Sequence, residues 1–561
     1  MKWKEALLVV VCFLFTLISK AQLMEEKNLF TKADTLRGTI TEYRKGWDVI
    51  RYDLTVQPDI ITKSIEGKNL ITYKEDLPVR VMQIDLQQPL AIDSITGNNN
   101  NYKFRRDGNV CFVYLRDSLA KYKFAPGIRQ LTVYYHGTPK EAKRAPWDGG
   151  LIWKTDLNNN PFIATACQGL GASIWWPCKD HQSDEPDSGM SIRIITPDTL
   201  VAISNGRLQN VSNSKGGYKT WTWQVKNPIN SYDVTMNIGK YTKWSDTLIG
   251  EGGKLDLDYW VLDYNLEKGK KQFEQVKPMI RSHEYWFGKY PFYQDSYKLV
   301  ESPFLGMEHQ SAVAYGNKFE NGYLGRDLSG SGWGLKWDFI IIHESGHEWF
   351  GNSITTKDLA DMWVHEGFTS YSETLFTETI FGKQAAAEYN FGIRKNIRND
   401  KTIIGFYGVN KEGSGDMYYK ASNMLNIIRQ AINDDAKFRS ILRGINSKFY
   451  HQTVTTKQIE DFISKESGHD FTKIFDQYLR STQVPTLEYY SSKNKKKLFF
   501  RWANCTSGFN LPIMISQGKE DVAITPTETW KTATLPKKIM LSNLSDIIEK
   551  RYYVTTKQVK E

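Results

Sequence analysis

A chain of 561 residues is too long for one hydrophobic core and divides into two to four domains. Hydrophobic residues at 40% and charged residues at 24% exclude a disordered or fibrous protein, while Trp 17, Tyr 30 and Phe 27 supply large cores and carved pockets. The net charge of +10 is spread along the sequence without a basic stripe on an aromatic platform, so nucleic acid is excluded as a partner and solubility accounts for the charge.

The chain opens with Lys2 and Lys4, an apolar stretch over 6–18 broken only by Thr16, and Ser19-Lys20-Ala21. A positive start, a short apolar core and small residues at the cleavage positions read as a signal peptide over 1–21. The stretch falls short of the ~20 residues that span a membrane. The expectation is therefore cleavage, export to a periplasmic or extracellular space, and no stable membrane insertion of the mature chain. Loss of Lys2, Lys4, Lys20 and Glu5 would take the charge from +10 to +8, and Cys12 would leave as well. Cys111, Cys167, Cys178 and Cys505 remain, an even number in an exported chain, so a disulfide such as Cys167–Cys178 is permitted; they form neither a disulfide framework nor a C-x-x-C zinc pattern, and buried thiols are the default reading.

Over 22–245 the sequence alternates and turns repeatedly. Residues 49–56, 67–73 and 130–135 have period two, separated by turn-formers such as Asp107-Gly108, which predicts a large antiparallel β domain. Near Tyr264 the period changes. Residues 266–287 carry apolar positions at helical spacing and stop at Gly288, and helical patterns continue to about Leu479, so 246–484 reads as a mostly helical domain. Val484-Pro485 breaks that pattern. Beyond it, 487–490, 497–502 and 511–515 read as strands of a small β domain over 485–561, with a hairpin tip around the lysines at 493–497.

The helical region contains His343-Glu344-Ser345-Gly346-His347. Four residues apart on a helix, His343 and His347 share a face and reach one ion, with Glu344 beside it to activate water. Ile340-Ile341-Ile342 and the interior Gly346 weaken the helix by propensity, and Gly351 is the expected stop. Eighteen residues after His347 comes Glu366. A second helix, antiparallel to the first after a turn over 351–356, would return it to the histidines and complete a catalytic zinc set of two His and one Glu. His365 points about 100° away from Glu366 and is excluded as a ligand.

With these motifs the chain resembles the gluzincin aminopeptidases, the family of aminopeptidase N and leukotriene A hydrolase. Their metal signature, H-E-x-x-H, eighteen residues, then E followed by G-F, fits 343–368 throughout. Their exopeptidase motif G-x-M-E-N is similar to Leu305-Gly306-Met307-Glu308-His309, with Leu305 in place of a glycine and His309 in place of an asparagine. Their Y-x-K-G motif resembles Tyr418-Tyr419-Lys420-Ala421, and Ala166-Cys167-Gln168 resembles the β-domain segment that offers a group to the substrate amine. The resemblance implies a multidomain α+β fold: an N-terminal β saddle, a thermolysin-like catalytic domain and a small C-terminal β-sandwich. It also implies one Zn2+ per chain on His343, His347 and Glu366, with Glu344 and Tyr418 as catalytic residues. Glu308 and Gln168, with Gly306 and Met307, would bind peptides that have a free N-terminus. A thermolysin-like endopeptidase with the same zinc set and no amine anchor is the alternative; an epoxide hydrolase of the leukotriene type shares Gln168 but has no separate support.

Overall fold

The computed structural model describes residues 30–98, 100–118, 124–517, 520–535 and 541–560; the signal peptide expected over 1–21 lies outside them. The alternating segments are strands, and alternation sets which side chains face the core. In Trp47–Asp59 the buried positions are Trp47 and Val49, then Tyr52, Leu54, Val56 and Pro58. The phase slips by one residue where the register shifts between Val49 and Arg51, and the irregularity keeps the apolar side chains on one face. This strand lies inside an eight-stranded sheet, between Met190–Pro197 and Ser64–Glu75. The sheet departs from an all-antiparallel expectation at one pair, Trp47–Asp59 with Met190–Pro197. Parallel neighbours need a long crossover, and the whole run of intervening strands provides it. A four-stranded sheet in the same region includes Pro161–Ala166, which runs directly into Gln168.

The helical reading over 266–287 resolves into two helices, Leu266–Gln272 and Val276–Phe287, joined by the tighter turn Phe273–Gln275. That turn sets Phe273 among the rings of Trp244, Tyr259 and Tyr315, and the packing outweighs helical continuity. A five-stranded sheet brackets these helices, with Tyr241–Gly250 and Gly253–Leu262 before them and the short strand Gly306–Met307 at its edge, paired to Val313–Tyr315.

Among the described residues, buried apolar side chains gather into two clusters. One belongs to the N-terminal β region and takes in Phe304, Met307 and Ala314; the other holds Tyr315, Ile340 and Phe368. Gly306–Met307 therefore runs along the seam of two cores, where a cleft opens. The second cluster continues through Leu487 to Val554, so the C-terminal strands pack straight onto the helices. There Thr486–Ser491 and Lys497–Ala503 form the expected hairpin within a four-stranded sheet, beside the pair Ile513–Gln517 and Glu520–Ile524. A helix the sequence reading did not expect, Leu541–Arg551, joins this small β region; Leu541, Leu544 and Ile548 supply its apolar face. Among the described residues no helix is long and apolar enough to cross a membrane, and Cys111, Cys167, Cys178 and Cys505 are free thiols.

Candidate active site

The helix Phe339–Gly346 forms despite its three isoleucines because its start is capped and its faces are buried. Asp338 Oδ1 accepts the Ile340 and Ile341 N–H groups, and its other oxygen accepts from Gln272 at 2.6 Å and the Tyr315 hydroxyl at 2.7 Å. Such a cap contributes about 1 kcal/mol, and Ile340, Ile341 and Ile342 are buried. The helix ends at Gly346, earlier than the stop expected at Gly351. His347 nevertheless keeps right-handed helical angles (φ −63°, ψ −20°), so both imidazoles stay on one face. Gly346 has a packing reason: a Cβ there would lie 2.7 Å from Ser372 Oγ and 3.1 Å from Thr369 Cγ2. Both belong to the long helix Trp363–Phe381, and this close approach brings Glu366 to the histidines.

His343 Nε2 lies 3.7 Å and His347 Nε2 3.4 Å from Glu366 Oε2. An ion bound tetrahedrally at about 2.0–2.1 Å holds its donors about 3.3–3.4 Å apart, so the set fits zinc with little movement. The distal nitrogens are spoken for. His343 Nδ1 is 2.7 Å from Glu373 Oε1, and His347 Nδ1 is 3.0 Å from the Phe350 carbonyl, which turns both Nε2 lone pairs inward. Phe339 stacks on His343 at 5.0 Å between centroids and holds the ring in plane. Buried Glu366 Oε2 has no hydrogen-bond partner among the described residues, as a metal-ligand oxygen would.

A cavity of about 880 Å³ opens over this set, and all nine residues named from the sequence line it. Glu344 sits beside the histidines, and burial pushes its carboxyl up to about 7. Buried Glu308 receives the Gln168 amide at 2.6 Å and the Tyr232 hydroxyl at 3.3 Å. Gln168 also donates to Glu366 Oε1 at 3.2 Å, so its NH2 group faces two carboxylates rather than the substrate amine. Gly306 packs against Glu344 and Ile340 with no room for a side chain. Tyr418 stands at the junction of the turn Gly415–Met417 and the helix Tyr419–Ile432, its ring 6.1 Å from that of His343. Burial holds its hydroxyl well above the usual tyrosine value, so it stays a donor.

His309 is fully buried, lines no part of this cavity, and burial pulls it down to about 3, so it is neutral. His365 Nε2 accepts the Thr356 N–H at 2.8 Å and is not among the grouped ligands. Sequence reasoning missed Glu373, Tyr389 and Tyr232. Glu373 lies seven residues, two turns, after Glu366 on one helix face, a spacing that could have found it. Tyr232 has no such signal; only the fold brings it to Glu308.

Residues 49–232 match the family model described as peptidase M1 N-terminal domain, and residues 264–478 match that of the peptidase family M1 domain. The chain belongs to peptidase family M1. Among curated M1-type relatives, Probable aminopeptidase 2 of Sulfurisphaera tokodaii is 22% identical over 62% of this chain and 44% of its own length. Aminopeptidase N of Lactobacillus helveticus is 22% identical over 81% of this chain and 53% of its own. The chain thus spans about half the length of the curated relatives it matches. An M1 zinc metallopeptidase from Deinococcus radiodurans, solved with a Tyr-Ser-Ala substrate, shares the fold with a TM-score of 0.64 and 18% identity, over 80% of this chain and 97% of that one. The structure of yeast LTA4 hydrolase superposes with a TM-score of 0.64 and 17% identity, over 83% and 71%.

Proposed function

We propose that this M1 chain is a zinc-dependent aminopeptidase that removes the first residue of peptides with a free N-terminus. The observation that carries the reading is Glu308, a buried carboxylate in the same cavity as the His343, His347 and Glu366 set. A thermolysin-like endopeptidase has no use for an acid there. His343, His347 and Glu366 would hold one zinc, which when bound supplies Lewis acidity to the scissile carbonyl and lowers the pKa of water. Glu344 accepts a proton from the attacking water and passes it to the leaving amine. Tyr418 donates a hydrogen bond to the developing oxyanion, an interaction strongest in the transition state. Glu308 receives the substrate ammonium, Gln168 holds the Glu308 carboxylate in place through its amide N–H, and with Gly306 and Met307 shaping the wall they set the cut after the first residue. Export through the secretory pathway, with removal of residues 1–21, belongs to the same proposal; it is supported by the order of basic, apolar and small residues there.

The test is a matched pair of peptides, free and N-acetylated, on the zinc-loaded protein. Acetylation leaves Glu308 desolvated without its cation, which should cost about 2–5 kcal/mol in kcat/KM. Glu308→Ala should weaken cleavage of the free peptide and erase most of the preference. Equal rates on the wild-type protein would reject the aminopeptidase and favour the endopeptidase.

A further inference from the structure

Another carboxylate besides those with assigned roles lines the cavity: Glu412, on the irregular stretch between the turn Ile393–Asn396 and the turn Gly415–Met417. The neighbouring acids are engaged. Glu308 is held by Gln168 and Tyr232, and Asp416 accepts the Arg398 and Asn399 N–H groups at 2.8 and 2.7 Å. Half-buried Glu412 has no hydrogen bond or ion pair to any described residue. Lys395 and Arg398 line the same wall, yet neither is paired with it.

The loop holding Glu412 is firmly tied. On one side the Ser414 N–H donates to the Thr402 carbonyl at 3.0 Å. On the other the Gly408 N–H donates to Asp358 at 2.8 Å and the Asn410 N–H to the Asp34 carbonyl at 3.0 Å. A Cβ on Gly413 would fall 1.8 Å from the Ile403 carbonyl oxygen, so the two limbs of the loop touch. An acid held in a partly desolvated wall without a partner is destabilising until a cation reaches it. A peptide's first residue carries two groups that can be cationic, its α-ammonium and a basic side chain. Glu308 serves the first. We propose that Glu412 is a specificity-determining residue that receives the basic side chain of the peptide's first residue, so that the enzyme prefers N-terminal Arg or Lys. The proposal rests on the aminopeptidase reading above. The cavity, at about 880 Å³, has room for an extended Arg side chain beside the peptide.

The experiment compares kcat/KM for Arg, Lys, Leu and Glu aminoacyl-coumarin substrates on zinc-loaded wild type, Glu412→Gln and Glu412→Lys. Wild type should favour Arg and Lys. Glu412→Gln should lose about 10- to 100-fold on these two, the worth of a charge-assisted contact, chiefly through KM, and change less than about threefold on Leu. Glu412→Lys should deepen the loss on Arg and raise activity on Glu. Normal cleavage of Leu with no change in the Arg-to-Leu ratio in either variant would overturn the specificity role while leaving the aminopeptidase reading intact. An equal loss on all four substrates would also overturn it, reassigning Glu412 to the α-ammonium or to loop structure. Failure of the wild type to cleave any free-amine substrate would overturn both.

Discussion

Replacing Glu373 tests whether the metal set is oriented from behind. Glu373 is fully buried, receives His343 Nδ1–H at 2.7 Å on one oxygen and the Tyr389 hydroxyl at 2.5 Å on the other, and is not itself one of the grouped metal ligands. Glu373→Gln keeps the volume and an acceptor for His343 but removes the charge that raises the basicity of the imidazole. Glu373→Leu leaves both His343 Nδ1–H and the Tyr389 hydroxyl without partners. Losing such a support typically costs 10–100-fold in metal affinity, about 1.4–2.7 kcal/mol. Glu373→Gln should sit near the low end and Glu373→Leu near the high end. The leucine variant should also lose about 1–3 kcal/mol of folding stability for each orphaned group, seen as a lower Tm in the zinc-free protein. Chelator-buffered zinc titrations measure the first effect and thermal unfolding the second. Activity per bound zinc should change far less than zinc affinity. Wild-type zinc affinity in both variants would refute the claim that Glu373 orients His343.

Tyr418→Phe should lower kcat by about 10²–10³-fold with little change in KM, and Tyr419→Phe much less; steady-state kinetics showing the reverse order would move the oxyanion donor by one residue. Gly306→Ala would place a Cβ 2.8 Å from Glu344 Oε1, forcing the base aside, so kcat should fall by up to about 10²-fold with full zinc content by elemental analysis. Glu344→Gln should retain zinc and lose at least about 10²–10⁴-fold in kcat. A base works only when deprotonated, so wild-type kcat/KM should decline as pH falls through the Glu344 pKa. Burial raises that value to about 7 and a bound cation opposes the rise, which puts the acid limb between about 4.3 and 7; a profile flat to below pH 4 would remove Glu344 as the base.

Spacing along one chain carries the ligand set. His343 and His347 at i, i+4 share a helical face by local periodicity, and the eighteen-residue spacing nominates Glu366, which the packing of the second helix then brings back to them. The same logic gives the strand alternation in Trp47–Asp59 and the hairpin at Thr486–Ser491, because each depends on neighbours in sequence. What periodicity does not contain is the meeting of distant segments. The interior Gly346 looks like a weakness until the helix Trp363–Phe381 is laid against it, where only a missing Cβ allows the contact. The joining of Gln168 to Glu308 and Glu366, the reach of Tyr232 to Glu308, and the unpartnered placing of Glu412 come from segments some 40 to 240 residues apart. They meet because two hydrophobic cores close on a shared seam at Gly306–Met307. By itself the sequence determined which residues make up the proposed zinc set and the proposed base, since those side chains lie within two helices. Only the tertiary structure decided what faces them across the cavity, because burial of side chains from two domains, and no local propensity, sets that distance.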